Sequence, residues 1–231
     1  MDSFKKRILP MNKASKKIII CRPKSINYRL LLAHGAGAPM DSPWLTELTK
    51  KLLHHKIEVI RFEFPYMENR RRTKKKQPPN KTNKLVDCFK ENIDLFKSSQ
   101  KPLLIGGKSL GGRIASMLAD HQEVAGVICF GYPFHSPKKL ITEERTKHLS
   151  GIQTPTLILQ GSRDPFGTPE DLKNLPMSAA IEIYWLKTSD HDFRPLKSSG
   201  WTQNDALESA ASRVANFLQR RVPYTYKNNV K

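Results

Sequence analysis

One serine lies between two glycines in a pattern that could support nucleophilic chemistry. Residues 106–112 read Gly-Gly-Lys-Ser-Leu-Gly-Gly, so Gly107, Ser109 and Gly111 form a Gly-x-Ser-x-Gly motif. An apolar run at 103–105 precedes the motif, and residues with helical spacing follow it. When a serine is raised on a sharp turn between a strand and a helix, side chains two residues before and after it would collide, so glycine is needed at both places. The pattern predicts that Ser109 is an exposed nucleophile.

A nucleotide site is the competing interpretation of the same residues. Gly107-Lys108-Ser109 matches the end of the phosphate-binding motif Gly-x-x-x-x-Gly-Lys-[Ser/Thr]. That motif requires glycine at position 102, where this sequence has Pro102. Residues 103–105 are Leu-Leu-Ile, which favour a buried strand over a loop around phosphates. The sequence therefore favours the nucleophile.

A serine hydroxyl needs a base to accept its proton and an acid to orient that base. Asp164 follows the apolar run 156–160, and His191 follows the apolar run 181–186. The order Ser109, Asp164, His191 is one in which catalytic triads occur. Ligands of open parallel sheets bind at the carboxyl ends of the strands, so we predict that these three side chains meet there.

Two alternatives to this acid remain open. Asp164 precedes Pro165 and could serve only as a turn residue. Asp190 and Asp192 flank His191 and could compete as the orienting acid. Neighbours in an extended segment point to opposite sides, which places both poorly to reach the ring of their own histidine.

Backbone N–H groups are the expected donors to a negative charge that develops on a substrate oxygen. The first is that of Leu110, directly after the nucleophile, and the second is that of Ala36, in the small-residue segment 34–39. This segment could instead be a glycine-rich turn with no contact to a ligand. Four further residues follow predicted strands at the same edge and are expected to line a pocket there. They are Gly35, Pro39, His135 and Phe166.

The sequence indicates no metal and no cofactor. None of its histidines has a metal-ligand spacing to Cys, Asp or Glu. Cys21, Cys88 and Cys129 are scattered and odd in number. No apolar run approaches the about 18 residues of a membrane span, and no signal peptide is recognised. We therefore expect reduced thiols, a cytoplasmic location and no membrane span, and the sequence indicates no particular oligomeric state.

The positive charge of the chain is concentrated in two segments. Lys and Arg number 40 against 21 Asp and Glu, a net charge of +19. Residues 1–24 carry +7 and residues 70–84 carry +8. A solvated loop is the plain interpretation of the basic run 70–76, and a site for a phosphate, an acidic substrate or nucleic acid is the alternative. No aromatic residue is interleaved with these charges, which argues against nucleic acid.

Short apolar runs alternate with helical patterns along the remaining sequence. The predicted strands are 17–22, 29–34, 58–64, 103–106, 126–131, 156–160 and 181–186. The predicted helices are 44–55, 84–98, 111–121 and 206–222. Strands separated by helices of this length predict βαβ units and a parallel sheet. Strands of such a sheet are covered on both faces, which explains why several runs are continuously apolar.

We therefore predict one α/β domain over residues 16–222, with a mostly parallel sheet of about six to seven strands flanked by helices and no substantial lid. Residues 1–15 are expected to form a basic segment without order, and residues 223–231 a flexible tail.

These motifs together resemble the α/β-hydrolase superfamily. More narrowly, the chain is similar to a small lidless branch that includes relatives of dienelactone hydrolase, testis-expressed hydrolase-like proteins and the hydrolase-like part of a histone-acetyltransferase complex subunit. The resemblance runs from about residue 29 to residue 217. The segments that carry it are 32–43, 61–67, 106–112, 131–135, 161–167 and 190–192. The resemblance implies a serine hydrolase with no particular substrate, and the basic N-terminal segment departs from the family pattern.

Two functions follow from these observations. The first is a serine hydrolase, similar to a carboxylesterase or thioesterase, that acts on a small or polar acyl substrate. The second is a binding module that keeps the fold and uses its basic segments to hold nucleic acid or another acidic partner. A complete triad in the expected order has no purpose in a pure binding module, which favours the enzyme.

Overall fold

The computed structural model describes residues 4–10, 17–97, 100–121 and 123–222. Strands and helices alternate along this part of the chain. The strands are β1 (Lys5–Pro10), β2 (Lys17–Arg22), β3 (Tyr28–Ala33), β4 (Ile57–Phe62), β5 (Leu103–Lys108), β6 (Gly126–Phe130), β7 (Thr156–Gly161) and β8 (Ile181–Leu186). The helices are α1 (Pro43–His54), α2 (Pro65–Thr73), α3 (Thr82–Phe96), α4 (Leu110–Ser116), α5 (Glu143–Thr146), α6 (Pro169–Leu172) and α7 (Gln203–Arg221).

The eight described strands form one sheet in the order β1-β2-β4-β3-β5-β6-β7-β8. Strands β3 to β8 are parallel to one another, whereas β2 is antiparallel to both of its neighbours, β1 and β4. The predicted α/β class and mostly parallel sheet are confirmed, with one strand more than predicted. The connection between β6 and β7, where a lid could lie, contains no α-helix longer than the four residues of α5.

The additional strand is β1, which lies within the segment predicted to lack order. Residues 5–10 pair antiparallel with β2, from Lys5 opposite Arg22 to Pro10 opposite Lys17, so that expectation is wrong for this stretch. Lys5, Lys6 and Arg7 make the first half of β1 charged, so its sequence lacks the apolar pattern by which the other strands were predicted. On an edge strand, such charges disfavour pairing with other chains. The rest of the predicted N-terminal segment, apart from Phe4, and the predicted tail 223–231 lie outside the described residues.

Side chains from alternate positions of the strands pack into two apolar layers, one on each face of the sheet. Leu30 and Leu32 of β3 pack with α1 and α7, whereas Leu31 and Ala33 pack with α2, α3 and α4. All four are completely buried. Coverage on both faces accounts for the continuous apolar runs by which the strands were predicted.

Helix α2 replaces part of the loop predicted at 70–76, because residues 70–73 form its last turns. Pro65 occupies the first turn, where its fixed φ suits a helix, and Lys74 ends the helix with a φ of +59°. Arg71 is bonded to the buried Glu63 through its Nε, at 2.8 Å and 2.7 Å from the two carboxylate oxygens, and pairs also with Asp41. The plain interpretation of a solvated loop is therefore wrong for Arg71.

The carboxyl ends of three parallel strands place the predicted site residues along one edge of the sheet. Ser109 follows β5, Asp164 follows β7, and His191 lies in the loop after β8. We call residues 187–194 the histidine loop.

No helix among the described residues combines the length and apolar composition that crossing a bilayer requires.

Candidate active site

Ser109 stands on a strained turn between β5 and α4. Its backbone has φ +52° and ψ −116°, a conformation that L residues rarely adopt. A Cβ on Gly107 would lie 2.4 Å from the carbonyl carbon of Gly111, and a Cβ on Gly111 would lie 2.7 Å from the carbonyl oxygen of Ala33. Both glycines are therefore required by packing, and the turn directs the chain from the sheet into the helix.

Asp164 and His191 form a hydrogen-bonded pair. The Nδ1 atom of His191 lies 2.7 Å from Oδ2 of Asp164, whose side chain is completely buried. Gln160 donates to the same oxygen at 2.9 Å, and the backbone N–H of Phe166 donates to Oδ1 at 2.9 Å. Because an ionised carboxylate only accepts hydrogen bonds, Nδ1 carries the proton and Nε2 is left as an acceptor.

The two competing carboxylates serve other groups. Oδ1 of Asp190 accepts the backbone N–H groups of Asp192 and Arg194, each at 2.9 Å. Oδ1 of Asp192 lies 3.4 Å from the ammonium of Lys108. Asp164 is thus the carboxylate that reaches the ring of His191.

Ser109 and His191 line one cavity of about 360 Å³. Among the described residues, Oγ of Ser109 has no hydrogen-bond partner, so the side chains share the cavity without a direct bond. The imidazole of His191 lies between the ring of Phe166, with centroids 4.4 Å apart, and Gly131, where a Cβ would lie 3.2 Å from Nδ1. Gly131 has φ +67° and leaves space for the ring.

The carbonyl groups of the segment that contains Ala36 are held by hydrogen bonds. The hydroxyl of Tyr66 donates to the carbonyl oxygens of Gly35 at 3.0 Å and Ala36 at 3.3 Å. Nδ1 of His34 lies 2.7 Å from the carbonyl oxygen of Gly35, and its Nε2 accepts the N–H of Phe64 at 3.1 Å. Burial lowers the pKa of His34, which keeps the ring neutral and its Nδ1 a donor.

The two residues predicted to supply N–H donors lie at the cavity and directly after Ser109. Ala36 lines the cavity. Leu110 is the first residue of α4, where a backbone N–H has no partner within the helix. This places the positive end of the helix at Ser109.

Two of the four residues predicted to line the pocket do so, namely Gly35 and Phe166. His135 is wrong as a pocket residue, because its Nδ1 lies 2.9 Å from the carbonyl oxygen of Ser136 and its Nε2 lies 3.3 Å from Asp171 in α6. Pro39 is also absent from the lining of this cavity, because it closes the turn before α1, where its carbonyl accepts the N–H of Ser42 at 3.0 Å.

Several residues that line the cavity were not predicted as pocket residues, among them Trp44, Lys108 and Asp192. In the sequence, Lys108 belongs to the phosphate-binding motif, which the strand conformation of residues 103–108 excludes. A charged residue at the end of an apolar strand, next to a nucleophile, was the available signal. No group of three or more His, Cys, Asp or Glu side chains suited to a metal ion occurs in the described ranges.

Comparisons with known proteins agree with this architecture. An alpha-beta serine hydrolase homologue from Coxiella burnetii is 20% identical, with a TM-score of 0.69 over 91% of this chain and 96% of that one. Dienelactone hydrolase from Anabaena variabilis is 16% identical, with a TM-score of 0.71 over 95% and 98%. The esterase domain of a Rhodothermus marinus protein is 15% identical, with a TM-score of 0.68 over 95% and 99%. At such identities the likeness shows the fold alone.

The family is shown by a match over most of the sequence. The family model described as an alpha/beta hydrolase domain matches residues 27–219. This range includes the Ser109 turn, the Asp164–His191 pair and the residues that line the cavity. The chain therefore belongs to the alpha/beta hydrolase family.

Proposed function

We propose that the protein is a serine hydrolase that cleaves ester or thioester bonds of small or polar acyl compounds. Ser109 is the nucleophile, His191 the general base and Asp164 the acid that orients it. The observation that carries the proposal is the 2.7 Å contact between His191 Nδ1 and the buried Asp164, in the cavity that also contains the strained Ser109 turn.

The reaction begins when Nε2 of His191 accepts the proton of the Ser109 hydroxyl and Oγ attacks the carbonyl carbon of the substrate. The imidazolium is stabilised by Asp164 and then donates its proton to the leaving alcohol or thiol, which leaves an acyl-enzyme. Water, activated by the same imidazole, attacks the acyl group and restores Ser109. A contact between nucleophile and base that is long in the free enzyme can shorten when substrate binds.

The N–H groups of Ala36 and Leu110 are proposed to bind the oxygen that becomes negative during attack. Such a donor typically contributes about 3–4 kcal/mol to the transition state. Tyr66 and His34 support this role because their hydrogen bonds to the carbonyl groups of Gly35 and Ala36 fix the backbone of this segment. The donors therefore need little rearrangement when the charge appears.

The cavity supports a small acyl substrate. Its volume of about 360 Å³ is near the lower end of the range typical of small-molecule sites. Trp44 and Phe166 form bulky walls, whereas the segment with Gly35 and Ala36 allows close approach of a substrate. We include a cytoplasmic location in the proposal, since Cys21, Cys88 and Cys129 are buried and none of them forms a disulfide.

A fluorophosphonate probe tests this function, since it reacts with an activated serine. We expect the wild-type protein to be labelled and to hydrolyse p-nitrophenyl acetate, and Ser109→Ala to lose both properties. Ser198→Ala, which changes an exposed serine outside the cavity lining, is the matched control and should behave as the wild type. A folded wild-type protein that is not labelled, or a labelled Ser109→Ala variant, would contradict the proposal and favour the binding module.

A further inference from the structure

Three side chains from three elements bind two consecutive carbonyl groups of the histidine loop. Nζ of Lys108, at the end of β5, donates to the carbonyl oxygen of His191 at 2.7 Å. Nε1 of Trp44, in α1, donates to the carbonyl oxygen of Asp192 at 2.9 Å, and Nε2 of Gln203, in α7, donates to the same oxygen at 2.7 Å. The backbone that carries the proposed base is therefore fixed from outside its own loop.

The ammonium of Lys108 is enclosed by protein groups. The residue is 8% exposed. Beside its bond to the carbonyl of His191, its Nζ lies 3.4 Å from Asp192 and 5.5 Å from the centre of the Trp44 ring. Burial lowers its pKa, and the carboxylates of Asp192, Asp164 and Asp190 oppose that shift. A buried ammonium with these partners is suited to hold protein groups in place.

The histidine loop needs such support because its own backbone is strained. Thr188 has φ +57° and Phe193 has φ +61°, and neither is glycine. Backbone in this region persists only when the surrounding structure holds it. On the side of the sheet the loop lies directly on Gly161, where a Cβ would be 2.3 Å from the carbonyl oxygen of Asp190.

We propose that Lys108 is a positioning residue that ties the turn of the nucleophile to the loop of the base. Lys108 directly precedes Ser109 in the chain, and its ammonium donates a hydrogen bond to the carbonyl oxygen of His191. One side chain thus sets the separation between the two groups that must exchange a proton. This inference rests on the proposed hydrolase function. A displacement of about 1 Å in such a site can reduce the rate about 100-fold.

The first test compares kinetic constants on p-nitrophenyl acetate. Lys108→Met keeps much of the volume of the side chain but removes the ammonium, so we expect kcat to fall about 10-fold or more while KM changes less than about twofold. Lys108→Arg keeps a charged donor and should recover part of the loss. Lys187→Met removes an exposed lysine from the same loop and is the matched control, with wild-type constants expected.

A second variant separates positioning from direct contact with substrate. Gln203 is absent from the lining of the cavity but donates to the same loop, so Gln203→Leu should lower kcat about threefold through the loop alone. An increase in KM without loss of kcat in Lys108→Met would mean that Lys108 binds substrate. Either that result or a Gln203→Leu variant with an unchanged kcat would overturn the proposal.

Amide hydrogen exchange tests the loop without any substrate. The N–H groups of Asp190, Phe193 and Arg194 are hydrogen-bonded within the loop. Their exchange rates therefore report how often these hydrogen bonds open. We expect faster exchange of these amides in Lys108→Met, with β7 unchanged. If the wild-type protein neither reacts with the probe nor hydrolyses esters, the proposed function fails, and this measurement still decides the positioning role. Unchanged exchange in the variant would contradict that role.

Discussion

At the scale of single residues, both oxygens of the Asp164 carboxylate accept hydrogen bonds. Its two oxygens accept from His191 Nδ1, from Gln160 Nε2 and from the N–H of Phe166, all within 2.9 Å. Each of these contacts therefore requires a hydrogen-bond acceptor at position 164. An amide placed there must present N–H groups to other donors, or force the imidazole into its other tautomer.

This argument predicts the effect of Asp164→Asn. We expect kcat to fall about 10³–10⁴-fold, because the proton of His191 moves to Nε2 and the base is lost. Steady-state hydrolysis of p-nitrophenyl acetate measures the loss, and thermal unfolding checks that the variant is folded.

Asp190→Asn is the matched comparison. Its Oδ1 accepts two backbone N–H groups, and an asparagine oxygen can accept both. This variant should retain most of the activity. Similar losses in Asp164→Asn and Asp190→Asn would contradict the assignment of the orienting acid.

At the scale of elements, Arg71 anchors α2 to Glu63, the residue directly after β4. Arg71 binds both oxygens of Glu63, whose side chain is 2% exposed, and the backbone N–H of Met40 donates to Glu63 at 3.2 Å. Helix α2 also carries Tyr66, which holds the Ala36 segment. The basic segment thus has a structural contact at Arg71 and exposed charges beyond it.

The neighbouring arginines of α2 allow a direct test of this anchor. Arg71→Met leaves Glu63 buried without its cation, and we expect the free energy of unfolding to fall by about 2–3 kcal/mol, less than for a fully buried pair because Arg71 is partly exposed. The exposed Arg72 contacts Asn69, so Arg72→Met should cost less than about 0.5 kcal/mol. Urea denaturation measures both, and equal losses would show that Arg71 has no special role.

At the scale of the whole molecule, stability is expected to depend on pH through buried histidines. His148 lies 2.8 Å from Oγ of Ser116, and burial together with the charge of Arg113 lowers its pKa to about 4. Burial also lowers the pKa values of His34 and His55. Since the unfolded chain binds protons to these rings near pH 6.5, acid favours unfolding.

We therefore expect the free energy of unfolding to decrease as the pH falls from about 6.5 to about 4. In His148→Gln, the free energy of unfolding should fall by about 1–2 kcal/mol less over this pH range than in the wild type, after allowance for partial exposure of the ring to solvent. Urea denaturation at a series of pH values measures the difference. Identical pH dependence in the variant and the wild type would show that His148 remains free to bind a proton in the folded state.

Strands such as β3 and β7 could be predicted from local sequence, because strands covered on both faces require largely continuous apolar residues. The turn at Ser109 could be predicted for a similar reason, since the close contacts of Gly107 and Gly111 leave no room for a Cβ and require glycine at both positions. The positions of Asp164 and His191 followed from the strands before them. In these parts of the chain, the physical requirement acts on residues that are near one another in sequence.

Tertiary structure alone decided the remaining features, because each depends on a partner outside its own helix or strand. Strand β1 exists through pairing with β2, and Arg71 is held by Glu63 and Asp41. Lys108 reaches the carbonyl of His191, 83 residues away. Such a contact leaves no periodicity in the sequence, since one hydrogen bond constrains two positions without constraining the residues between them.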